Sequence, residues 1–430
     1  MTNSKQKNYA IPLACIGFMF FAVGFALGLN GYLIPLLKGS LNVSGAASYL
    51  IVFVTFAAFL IFGYPAAGII KKIGYKKTMA LAFMIFTAAF LLFVWPAKIA
   101  DANMEAGVVT ENVRFKCLVL FLIASFISGL GNTILQAAIN PYITILGPME
   151  SGAKRISMMG ICNKLAYPVA TLFLAWLIGK SISTAQVGDI IKPFYVIAAI
   201  FFILGILVLF APLEEIKATG EEEGKENDCP YAANKTSIWQ FPHLVWGCVT
   251  LFLYVGVETL ALQTPVDLAN ELHLPNPEIY PFLPAIGMTI GYIIGIVLIP
   301  KRLSQAMALR ICAWLGVLGT ICALLVPPQY SVWVLFTMAL ACSLMWPAIW
   351  PLAMADLGKF TKKGAALLVV TIFGGAVIPL LFGILKDYLH STGYEMPRAT
   401  QYSYLIALPC FLVILWYAYR GYKIRRQSKK

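Results

Sequence analysis

SMMGICNKLAYPVATLFLAW (157–176) and LVWGCVTLFLYVGVETLALQ (244–263) decide how this chain folds. Each is an apolar run of ~20 residues, the length that crosses ~30 Å of hydrocarbon as a helix. Each also carries one charge well inside it, Lys164 in the first and Glu258 in the second. An ionised side chain at mid-bilayer costs roughly 2.5–3.5 kcal/mol on insertion scales, so such groups line a polar pathway inside a helical bundle. A cation and an acid on different spans predict an internal polar cavity, as a transport protein requires.

The rest of the composition agrees. The 430 residues are 60% hydrophobic and 12% charged, with mean hydropathy +0.81. A soluble chain carries about 25% charged residues. The net charge of +13 does not point to nucleic acid, because the bases cluster between apolar runs, as in loops facing anionic lipid. The nine cysteines are scattered without CxxC or metal spacing and read as small packing residues. His243, His273 and His390 form no metal or triad constellation, so no cofactor or metal is expected. The first apolar run, 10–37, is too long for a cleaved leader and is expected to remain as a span.

Twelve spans are predicted near 10–37, 47–70, 78–97, 115–146, 155–179, 193–211, 240–264, 281–300, 306–327, 330–354, 364–386 and 402–419. An acidic stretch at 212–237 divides them into a six-helix bundle over 1–211 and another over 238–430. The predicted fold is thus all-α and integral to the membrane, with both termini on one side. Of the 32 Lys and Arg, 22 fall on the side of the termini and 8 on the other, with Lys164 and Arg310 inside spans. That bias places both termini in the cytoplasm. Arg310 lies close enough to its span's end to snorkel. The halves echo one another: GIIKKIGYKKTMALAF (68–83) matches VLIPKRLSQAMALRI (297–311), and NPYITILG (140–147) matches WPLAMADLG (350–358). Parallel six-span repeats about an axis along the membrane normal are expected for a major facilitator fold.

Counting 1.5 Å per helical residue from the inner span ends puts Lys164 and Gln136 at a shared depth near mid-membrane. Asn132, Thr133, Asn140 and Asn163 are placed to extend that polar wall, although interhelical hydrogen bonding is the plain alternative. Glu258 suits an acid that carries a proton across. Lys164 either meets substrate or pairs with an acid such as Glu258. Asn30 sits in the Gly- and Pro-interrupted GLNGYLIP (28–35), and Trp346 in WPAIW (346–350) offers an aromatic face to a sugar ring. Tyr142, Tyr167 and Tyr254 are weaker candidates, and Asp356 is expected at an inner span end.

Four stretches carry a family likeness: GLNGYLIP, QAAINPYITILGPMESGAKR (136–155), YVGVET (254–259) and TIFGGAVIPLLFGILKD (371–387). On these the chain resembles the fucose permease branch of the major facilitator superfamily over most of its length. The resemblance implies a bacterial inner-membrane symporter for fucose, glucose, galactose or N-acetylhexosamines, driven by protons and in some relatives by sodium. Gly31 stands where the branch carries an Asp, Gln136 where it carries a Glu, and Gly160 where it carries a Gln, while Lys164 replaces a small residue.

Loss of two anions and gain of a cation predict an acidic sugar such as N-acetylneuraminate or N-acetylmuramate. A neutral hexose or N-acetylhexosamine is the alternative. The expected substrate-binding set is Gln136, Asn140, Asn163, Lys164, Asn30 and Trp346, with Glu258 coupling the proton. The expected partners are a small sugar, H+ or Na+, and membrane lipid, with the carrier acting as a monomer. A drug exporter lacks its usual acid in span 1 here. A membrane enzyme lacks an acid pair at the interface, and an ATP-driven pump lacks GxxxxGK[ST].

Overall fold

The computed structural model describes residues 10–108, 110–146, 152–213, 230–233, 235–299 and 302–428. Among them every regular element is helical. Among the described residues, eleven helices are long and apolar enough to cross a membrane. One of these, Gly45–Glu105, has 61 residues. At 1.5 Å per residue it would run roughly 90 Å, three times the hydrocarbon thickness. It is two spans, turned at Gly74, whose φ of 80° and ψ of 170° leave the helical region. A positive φ of this kind favours glycine, so KKIGYKK turns the chain at its one residue without a side chain.

The twelve spans are therefore Ala10–Leu41, 45–73, 75–105, Glu111–Ile145, Gly152–Ile178, Ile191–Phe210, Pro242–Gln263, Phe282–Leu298, Gln305–Leu325, Pro328–Met354, Lys363–Ser391 and Met396–Ile424, numbered 1 to 12 below. They follow the hydropathy expectation to within a few residues at most ends. The chief departures are helical extensions into polar sequence, as at 98–105 and 396–401, where a hydropathy window loses the helix but the backbone bonds continue. Of the expected inter-bundle stretch 212–237, residues 214–229 and 234 lie outside the described residues.

Packing repeats between the halves. Span 1 lies on span 5, where a Cβ on Gly24 would strike the Asn163 carbonyl and one on Gly28 would lie 2.7 Å from the Tyr167 Cα. Span 7 lies on span 11 in the same way, through Gly256 against Ile378 and Gly374 against Phe252. Lipid is as apolar as leucine, so helices in a membrane associate by close packing, and small residues set the approach. The halves meet mainly where span 2 packs on span 11 and span 5 on span 8. Side chains that face away, such as Trp176, Phe210 and Leu325, are large, apolar and exposed, as a lipid-facing surface requires.

Candidate functional site

Between the halves lies a cavity of about 120 Å³. Helical periodicity delivers its polar wall. Gln136 and Asn140 are one turn apart on span 4, while Gly160, Asn163, Lys164 and Tyr167 form one face of span 5. The second half supplies Tyr254, Glu258 and Thr259 from span 7, Tyr292 from span 8 and Trp346 from span 10. Phe20, Leu27 and Phe56 complete an apolar side.

At its centre the Lys164 ammonium lies 3.2 Å from Glu258 Oε2, which ties span 5 to span 7 across the two halves. The Tyr254 hydroxyl donates to Glu258 Oε1 at 2.5 Å. Lys164 Nζ also lies 5.6 Å from the Tyr167 ring centre. Both charged side chains are 11% exposed, enough to face the cavity without opening to bulk water. Trp346 stands 6.4 Å from Tyr254, centre to centre, and stacks on Trp350 at 5.3 Å. A tryptophan face beside amides and a hydrogen-bonded acid matches the chemistry of a polyhydroxylated ring.

Six of the seven expected site residues line this cavity: Gln136, Asn140, Asn163, Lys164, Trp346 and Glu258. Asn163 spends one amide bond on the Phe20 carbonyl at 3.0 Å. Asn30 does not join them. It is buried within the first half and donates to the Thr55 hydroxyl at 3.3 Å, a bond between spans 1 and 2. Thr133 likewise turns its hydroxyl back to the Gly129 carbonyl. Asp356 is exposed at the end of the helix Met345–Met354.

The two glycine replacements are filled from the opposite half. A Cβ on Gly160 would lie 2.8 Å from the Tyr292 ring, so the small residue admits that tyrosine. A Cβ on Gly31 would lie 3.3 Å from Gln263 Oε1, and Gln263 donates to the Leu27 carbonyl at 2.9 Å.

A second polar cluster, unforeseen in the sequence, closes the end of the molecule opposite the termini. Asp267 and Glu271 follow span 7 on one face of the short helix Pro265–Glu271. Lys38 from span 1 meets them at 2.7 and 2.6 Å, and Lys386 from span 11 at 2.7 and 2.5 Å. Thr400 donates to Glu271, and Tyr49 reaches Asp267 at 3.5 Å. Asp387 accepts the backbone N–H groups of Gly45 and Ala46 at 2.9 and 2.7 Å, which places a carboxylate on the N-terminus of span 2. Thr171 and Ser181 bond to Glu278 across the same seam. Burial alone raises the Asp267 pKa, but Lys38 and Lys386 outweigh it and hold the carboxyl well below its usual range. In sequence these charges looked like loop residues at span ends. Their one signal was the four-residue spacing of Asp267 and Glu271 directly after Pro265.

Two half-bundles around a mid-membrane polar cavity, sealed at one end by cross-half contacts, define an alternating-access membrane carrier. The chain belongs to the Major Facilitator Superfamily, whose family model matches residues 16–380. It is 29% identical to a glucose/galactose transporter of Brucella abortus, over 98% of this chain and 96% of that protein. It is 23% identical to an L-fucose-proton symporter of Escherichia coli, over 96% of this chain and 94% of that one. Among solved structures it superposes on FucP in its outward conformation with a TM-score of 0.67 at 21% identity, covering 98% of this chain and 100% of that one. A bacterial homologue of the lysosomal transporter Spinster, inward-facing and occupied, gives a TM-score of 0.66 at 12% identity over 97% and 96% of the chains. These structural likenesses are likenesses of fold.

Proposed function

We propose that the protein is a bacterial inner-membrane importer of a neutral hexose, coupled to protons, with glucose or galactose the favoured substrates. The observation that carries this reading is the Lys164–Glu258 pair at the centre of an amide- and aromatic-lined cavity. The expectation of an acidic sugar rested on a cation free to meet a carboxylate. Lys164 already has one at 3.2 Å, and it belongs to the protein. The relatives named for glucose, galactose and fucose support a neutral ring.

The pair also supplies a coupling rule. While it is formed the empty cavity carries no net charge, and the carrier returns without a proton. A sugar hydroxyl that enters between Lys164 and Glu258 separates them. The acid then takes a proton before the loaded cavity is enclosed, and the sugar's hydroxyl oxygens take its place on the Lys164 ammonium, because a charge left without partners in a dry interior is costly. Sugar and proton cross together, and neither is required for the return. The cavity is small beside the ~300–1,000 Å³ usual for ligand pockets, so it widens as the halves rock.

The positive-inside bias makes the closed end external. Opening it withdraws Lys38 from Asp267 and Glu271, and Asp387 from span 2. Lys386 stays with the two acids, since it rides on the same half.

Competition for uptake tests the substrate. Unlabelled glucose or galactose should displace labelled glucose, and N-acetylneuraminate in excess should not. Displacement by the acidic sugar alone would reverse the assignment.

A further inference from the structure

A lipid-facing groove of about 360 Å³ runs between spans 9 and 12, at the end of the molecule that carries the termini. Its floor and walls include Met307, Ile311, Trp314 and Leu318, each about half exposed. At its head lie Arg310 and Tyr419. The Arg310 Nε donates to the Ala418 carbonyl at 3.0 Å and Nη2 to the Tyr422 hydroxyl at 3.4 Å. The guanidinium carbon sits 4.7 Å from the Tyr419 ring centre. Two bonds fix the fork and leave other N–H donors unspent.

Charge and depth both select an occupant. Residues 299–330 and 404–430 contain no Asp or Glu, while Arg302, Arg420 and Lys423 stand exposed at the same end as Arg310. Arg310 lies six residues into span 9 from its Ser304 cap, roughly 9 Å along the axis, a depth from which a long side chain reaches the phosphate level. From Arg310 to Leu318 the groove descends roughly 12 Å farther into hydrocarbon. A basic head on an apolar trough, set in a bilayer, matches an anionic headgroup on an acyl chain.

We propose that this groove is a binding site for an anionic phospholipid, with the phosphate on Arg310 and one acyl chain along Met307, Ile311 and Leu318. The site is independent of the transport reading, since it shares no residue with the cavity.

The test uses the purified full-length chain in neutral detergent, offered phosphatidylglycerol or phosphatidylcholine of matched acyl chains, with retained lipid counted by native mass spectrometry. Wild type should retain the anionic lipid over the zwitterionic one by about fivefold, as one basic contact at the membrane surface provides. Arg310→Gln should erase that preference, and Arg310→Lys should keep much of it. Leu318→Trp, which fills the trough from the lipid side without touching the charge, should lower retention of both lipids and serves if Arg310→Gln does not fold. Equal retention of the two lipids by wild type, an undiminished preference in Arg310→Gln, or undiminished retention of both lipids in Leu318→Trp would overturn the proposal. Inorganic phosphate displacing the lipid at comparable concentration would do so too, since it would mean a bare anion site.

Discussion

Lys164 and Glu258 depend on one another, and the consequences of separating them are specific. Removing one member of a buried pair leaves the other uncompensated, at a cost on the order of 3 kcal/mol, whereas removing both is far milder. Lys164→Met should therefore lower the unfolding temperature of the purified carrier, and adding Glu258→Gln should recover most of the loss. Additive losses in the double variant would mean that the two side chains act separately. The single variant should also take up sugar, net, in a pH-dependent way, because its empty cavity then holds a lone acid that needs a proton to return. Both residues were visible in the sequence because a charge within an apolar run has few explanations. Their mutual contact stood only as one of two alternatives for Lys164, since hydropathy gives depth but not the rotation of one helix against another. The same lack of rotation misled the reading of Asn30, whose amide turns to Thr55 within its own half.

At the scale of elements, close approaches and end contacts decide which arrangements the halves adopt. Gly160 lets Tyr292 of span 8 lie against span 5. Gly160→Ala should cost about 1–3 kcal/mol of overpacking, read as a lower unfolding temperature. Tyr292→Ala in the same chain should relieve it, and a cost that persists there would place the clash elsewhere. Lys38 is the cation of the outer cluster that leaves the two acids when that end opens. Lys38→Met should raise the rate at which an impermeant maleimide labels a cysteine placed at the buried Leu41, by roughly tenfold for a latch worth ~1.4 kcal/mol. Unchanged labelling would remove Lys38 from the gate. Span positions were legible to within a few residues, and so was the turn at KKIGYKK, because apolar length and a glycine between lysines are local signals. The outer cluster was hidden because Lys38 and Asp267 lie 229 residues apart and only the packed halves bring them together.

The molecule as a whole is two similar bundles held in register by a neutral pair at the centre and a charged latch at one end. The latch sets a pH response. Asp267 has its carboxyl depressed when the end is closed, so its stabilisation is fully present above ~3.9, the unperturbed value, and is lost as pH falls through the lower closed-state value. The maleimide rate at Leu41 should stay flat through neutral and mildly acidic pH and rise only well below that value. A rise between pH 5 and 7 would point to another group. The most direct test of the central claim is labelled glucose in right-side-out vesicles carrying wild type or Glu258→Gln, with and without an imposed inward proton gradient, beside equilibrium exchange in the same vesicles. Wild type should accumulate glucose only with the gradient, and Glu258→Gln should exchange glucose yet fail to accumulate it. Gradient-driven accumulation by Glu258→Gln would contradict the account, because the proton would then cross without the acid that pairs with Lys164.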